Sequence, residues 1–377
     1  MDNLRALAML AGVIFHAALA YSPMVHGIWP VADRQSSNAI DAIAWWLHMF
    51  RMPLFFVVAG FFAAMLVARR GLWNMFRSRL RRILVPLVVG LPIVWSSTYW
   101  LTVLAARTVR YPSPMLAWIR RYASNHGSVP FIPGLAHLWF LAYLMLFTIL
   151  VWVVSTMETG RWHARMKTRK ASWLIAWLLP LVLSLALGAT SQPFPAPESL
   201  LPQLWAVIFF GAYFGLGYHL YLYRAFIDDI KTLAPWLFIA AMVAYVVLHG
   251  SWSHADMHDD AIKAALESCV GCWLTLCCLV AGWTWLDISN RLLRWLADAS
   301  YWVYLVHLPI LLGVQYGLLD LEWHWSLKLV VSVLLTLLVC LASYSLLVAR
   351  TGLRRWVGGG QPSIGKQGRN VLSASPI

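Results

Sequence analysis

Arg5 stands at the start of the apolar stretch DNLRALAMLAGVIFHAALAYS, and His16 lies eleven residues deeper. At about 100° and 1.5 Å per residue, a helix returns to nearly the same face over that distance and climbs roughly 16 Å, about half of a 30 Å hydrocarbon core. A guanidinium at the water boundary and an imidazole near mid-membrane follow from that spacing. Ionisable groups at such depth are costly, so they usually face a bundle interior or a watery cavity. The plainer reading of one such histidine is a hydrogen bond to a backbone carbonyl. A second stretch, IDAIAWWLHMFRMPLFFVVAGFF, places His48 and Arg51 three residues apart and Asp41 seven residues before His48, all on one helical face. The plain reading of this set is an ion pair that fixes helix packing. The chemical reading is proton transfer at an imidazole beside a guanidinium that stabilises negative charge. HLWFL brings His137 to the outer boundary of a further span, and ASYWVYLVHLP brings His307 near the middle of another.

The elements that hold these groups are membrane helices. Of 377 residues 61% are hydrophobic and 12% charged, and the mean hydropathy is +0.68, which a water-soluble domain could not carry without large exposed apolar patches. An all-α polytopic membrane protein of about ten transmembrane helices is expected, with spans near 4–22, 40–67, 82–105, 136–156, 172–190, 203–222, 233–250, 262–285, 299–318 and 327–349. The first span is too long, and lacks the cleavage site, for a removable signal peptide. The net charge of +14 concentrates in alternate connections, as the positive-inside rule requires with both termini cytoplasmic. The basic excess is thus topology and no nucleic-acid footprint. Pro53, two residues after Arg51, is expected to bend its helix.

RRGLWNMFRSRLRRILVP is a basic run leading into the third span. It reads either as a topogenic anchor or as a phosphate cradle in which Arg81 and Arg82, faced by Arg5, fork onto a nucleotide phosphate. HGSWSHADMHDD gathers His249, His254, Asp256, His258, Asp259 and Asp260, but no fixed metal-ligand spacing matches, and a solvated polar loop is expected. Cys269 and Cys272 form a CxxC without a second ligand pair and read as packing residues, so no metal is assigned. Trp45, Trp46, Trp100 and Trp139 suit either the interfacial belt or stacking against a sugar. The connection 106–135, broken by YPSP and VPFIPG, is expected to be irregular or a re-entrant lid. Residues 1–350 form one membrane domain, and the Gly-, Ser- and Pro-rich segment 351–377 is expected to be a disordered cytoplasmic tail. A glycan or lipid-linked-sugar transporter or flippase would also use intramembrane His and Arg, although no internal repeat of obvious period supports it.

Arg5 with His16 ten intervening residues on, then FRMPLFFVVAGFF, RLRRILVP, HLWFLAYL and ASYWVYLVHLPI, together resemble the membrane acyltransferase-3 family over roughly residues 1–350. That resemblance implies an inner-membrane enzyme of bacteria with no permanently bound cofactor. It would take a succinyl or acetyl group from cytoplasmic acyl-CoA and deliver it to a hydroxyl of a periplasmic glucan or other envelope glycan. It also implies His16 as the catalytic histidine, a site role for Arg51, and Arg81 or Arg82 as donor contacts; from their positions, His48 is expected as a catalytic partner beside Arg51, and Arg5 with Arg81 and Arg82 at the donor entrance. His137, His307 and Asp41 are expected on the acceptor side.

Overall fold

Backbone that crosses hydrocarbon must satisfy its N–H and C=O groups within itself, and the long apolar runs here do so as helices. The computed structural model describes residues 2–129, 133–155, 169–253, 260–285 and 291–357. In chain order the helices are α1 (Asp2–Ala18), α2 (Asn38–Arg79), α3 (Val85–Thr108), α4 (Pro114–His126), α5 (Trp139–Ser155), α6 (Arg169–Leu187) and α7 (Leu204–Leu222). They continue with α8 (Phe226–Lys231), α9 (Ala234–Ser253), α10 (Asp260–Trp285), α11 (Arg291–Leu318), α12 (Trp325–Ser343) and α13 (Arg354–Val357). Among the described residues nine helical stretches are long and apolar enough to cross a membrane, and Ser172–Leu187 is a shorter apolar helix where a tenth span is expected.

The hub is α2, which packs on α7, α1, α10 and α5; α11 joins α1, α3 and α12 on one side, and α6 and α9 clasp α10 on the other. The α2–α7 contact depends on two glycines. A Cβ built on Gly60 would lie 1.9 Å from the Phe214 carbonyl oxygen, and one on Gly217 would lie 1.8 Å from that of Val57. Only hydrogen at these positions lets the backbones meet, as in close small-residue crossings of membrane helices.

Pro53 does not bend α2 out of helical geometry. Neighbouring helices tolerate the lost donor of a membrane proline, and Gly271 of α10 presses against the Met49 carbonyl that Pro53 leaves without its usual partner. The break falls instead at Gly71, whose φ of +77° ends the long span after Arg70. The following segment runs through a π-helical turn, Leu80–Leu84, into α3. The connection after α3 also departs from the irregular lid expected there, because Pro114 occupies the first turn of an amphipathic helix, α4, where its missing N–H costs nothing. Ser113 caps it, accepting from Leu116 N–H at 3.1 Å and donating to Pro30 O at 2.7 Å. Arg354–Val357 is helical; the rest of the expected tail, 358–377, lies outside the described residues, as do His254, Asp256, His258 and Asp259 of the acidic-histidine loop.

Candidate active site

One cavity of about 280 Å³ runs through the bundle between α1, α2, α5 and α11. At one end its wall carries Arg5, Arg79, Arg82, Ser300, Tyr301 and Trp356; at the other, Trp29 and the Phe194–Glu198 connection. His16, His48, Arg51, His137 and His307 all line it. Helices α1, α2 and α11 and the turn that leads into α5 therefore deliver their polar groups to one place.

Arg51 is 7% exposed. Its guanidinium lies over the Phe15 ring at 4.4 Å and against Gly12, one turn before His16, where an added Cβ would stand 3.1 Å from Nη1. Among the described residues it forms no ion pair, and its Nε is buried without a hydrogen-bond partner. A desolvated cation with no carboxylate is expensive to keep.

Three of the histidines, His16, His307 and His137, form a connected row. His16 and His307 have ring centroids 5.4 Å apart, and His307 and His137 5.2 Å; the Trp29 indole stacks on His16 at 6.0 Å with 16° between planes. Three of the rings are bound to backbone carbonyls. His48 Nε2 lies 3.0 Å from Phe194 O, His137 Nε2 3.2 Å from Leu305 O, and His307 Nδ1 2.8 Å from Tyr304 O and 3.1 Å from Val303 O. A carbonyl only accepts, so in each neutral ring that nitrogen carries the proton and the other presents a lone pair. No hydrogen bond ties His16 to a described residue, and its Nδ1 is buried without a partner. Nδ1 of His48 and Nδ1 of His137 are themselves buried without a partner, so beside Arg51 the wall offers His307 and a His16 ring that no hydrogen bond to a described residue holds.

Not every expected residue reaches this place. Asp41 is buried beyond the cavity wall, where Ser22 Oγ donates to it and His249 Nε2 lies at 3.6 Å. Arg81 is exposed and off the wall. Residues three apart share a helical face and those two apart do not, so the face carrying Arg82 also carries Arg79, which lines the cavity in its place. Arg79 Nη2 donates to Ala59 O at 3.3 Å, and Arg5 Nη2 to Ala297 O at 2.7 Å. Tyr301 OH holds the Arg82 carbonyl at 2.6 Å. Among the expected tryptophans, Trp139 lines the cavity, Trp45 stands edge-on to His48 at 5.2 Å, and Trp100 is exposed. Sequence reasoning missed Arg79, Trp29, Tyr304 and the Phe194–Glu198 segment. The last was signalled only by QPFPAPES, a run of prolines too dense for a helix between two spans.

Known proteins resemble this chain along most of its length. Glucans biosynthesis protein C of Escherichia coli K12 is 23% identical over 323 residues, which cover 83% of this chain and 81% of that protein. Its counterpart in Shigella dysenteriae serotype 1 matches to the same extent, and that of Escherichia coli O17:K52:H18 is 24% identical over the same shares. No solved structure matches the chain significantly. The chain is a membrane-embedded acyltransferase that transfers groups other than aminoacyl groups. With the acyltransferase domain matching residues 1–345, nearly the whole helical bundle, the protein belongs to the acyltransferase-3 family.

Proposed function

We propose that this enzyme takes a succinyl or acetyl group from acyl-CoA at the Arg5 end of the cavity and transfers it to a hydroxyl of a periplasmic or other envelope glycan at the Trp29 end. The proposed setting is the bacterial inner membrane with both termini in the cytoplasm. The observation that carries this reading is the single cavity, which links a cluster of three arginines to a row of histidines and a buried guanidinium. Arg5, Arg79 and Arg82 suit the phosphates of a nucleotide carrier, and the Nε2 lone pair of His307 suits a hydroxyl hydrogen of a sugar. The names of the relatives point to a glucan as acceptor.

In this mechanism His16 removes the proton from an acceptor hydroxyl as its oxygen attacks the thioester carbonyl. A sugar hydroxyl is a weak nucleophile at neutral pH, and a base within reach contributes a factor of about 10² to 10⁴. The carbonyl oxygen becomes an oxyanion and meets Arg51. Collapse breaks the carbon–sulfur bond, and the proton held by His16 passes to the departing CoA thiolate. Acyl-CoA is a substrate here; nothing needs to stay bound between turnovers.

Mass spectrometry of envelope glycans from cells with and without this protein tests the reading. A succinyl or acetyl mass gained only when the protein is present is expected. Acceptor movement across the membrane without acyl-CoA consumption would overturn it in favour of translocation.

A further inference from the structure

Glu267 is a carboxyl group about two turns into apolar α10, with none of its surface exposed and no place on the cavity wall. A buried polar group of this kind is costly unless it holds something. Its Oε2 accepts from the Phe194 N–H at 3.2 Å, while Oε1 is buried and without a partner among the described residues. The sequence explains why that amide is available. In Gln192-Pro193-Phe194-Pro195 both neighbours of Phe194 are prolines, so its N–H is the one backbone donor across three residues. On its other side Phe194 accepts from His48 Nε2 at 3.0 Å, and its ring packs on the His48 ring with centroids 4.5 Å apart.

The geometry points to Glu267 as a positioning residue for acyl transfer: it pins the Phe194 backbone, and the pinned Phe194 carbonyl fixes the ring of His48 and the nitrogen that bears its proton. The inference rests on the acyl-transfer reading for its catalytic part and on geometry alone for the clamp. A carboxylate and a carboxamide both offer an oxygen to an N–H, so Glu267→Gln keeps the clamp. Glu267→Leu, of similar bulk in an apolar helix, removes it and leaves the Phe194 amide unpartnered.

Hydrogen exchange of the full-length protein in detergent, followed by peptide mass spectrometry across residues 192–198, reads the clamp directly. Among residues 193–197 only Phe194 and Ala196 carry amides, because the other three are prolines. One slow amide in the unsubstituted protein and in Glu267→Gln, turned fast in Glu267→Leu, is the expected result. Equal exchange in Glu267→Leu overturns the clamp. In parallel, turnover of succinyl-CoA and acetyl-CoA with isolated envelope glucan should show kcat lowered on the order of tenfold to a hundredfold by Glu267→Leu, as for a misplaced catalytic group. The KM for acyl-CoA should hold, and Glu267→Gln should restore kcat. Loss of the slow amide with kcat intact overturns the positioning role. An unsubstituted protein that consumes no acyl-CoA defeats the acyl-transfer reading instead, and the exchange result still decides the clamp.

Discussion

Replacing Arg51 with methionine separates a cation kept for chemistry from one kept for architecture. The side chain is buried over Phe15, presses on Gly12, and forms no ion pair among the described residues. Removing a cation that no anion balances relieves desolvation and strands no partner, so the folded protein should be as stable or more stable. Methionine occupies the same slot with a flexible apolar chain. The transition state loses its main donor. One donor at a developing oxyanion is worth about 3 kcal/mol, which converts to a loss of roughly a hundredfold in kcat. The assay pairs release of CoA thiol from succinyl-CoA or acetyl-CoA, in the presence of isolated glucan, with thermal unfolding of the detergent-solubilised protein. Turnover should fall about a hundredfold with the unfolding midpoint level or raised. Unfolding and activity that decline together would make Arg51 a packing cation and refute the reasoning.

Two further perturbations probe the cavity mouth and the bundle. Arg79→Gln and Arg82→Gln should each raise the KM for acyl-CoA by about tenfold, as loss of a charged hydrogen bond of about 1.5 kcal/mol implies, whereas Arg81→Gln, on the exposed side of the same turn, should leave it unchanged in steady-state kinetics. Gly217→Ala should destabilise the fold by about 3 kcal/mol or prevent its accumulation, since the new methyl meets the Val57 carbonyl. Gly215→Ala, two residues away with open space around it, should be tolerated in the same thermal unfolding measurement.

Much of this architecture was legible because a membrane imposes strong local rules. Length and apolarity alone mark the spans, and the eleven-residue step from Arg5 to His16 suffices to place both on one cavity wall. Hydropathy carries no information about which face of a basic run turns inward. Arg81 and Arg82 look equivalent in sequence, and only the phase of the turn between α2 and α3 separates them and brings in Arg79. Asp41 shares a helical face with His48, yet the contacts of Ser22 and His249 hold it off the cavity, and those come from segments far apart in the chain. Pro53 reads as a kink because local rules cannot see the α10 glycine that packs against the Met49 carbonyl, while Gly71, unremarkable in the sequence, takes the positive-φ conformation that ends the span. The Phe194 segment was invisible for a related reason. Its importance lies in contacts with α2 and α10, and a proline-rich connection gives no hint of what it will cover.

In the proposed mechanism His16 accepts the acceptor's proton inside a cavity open to a nucleotide carrier at its Arg5 end. Transfer of a radiolabelled acyl group from acyl-CoA to isolated glucan by purified His16→Ala, checked for unchanged thermal unfolding, tests it most directly. A fall in turnover on the order of 10² to 10⁴ is expected, the contribution of a positioned base, with acyl-CoA still bound. Turnover within a few-fold of the unsubstituted enzyme would contradict it.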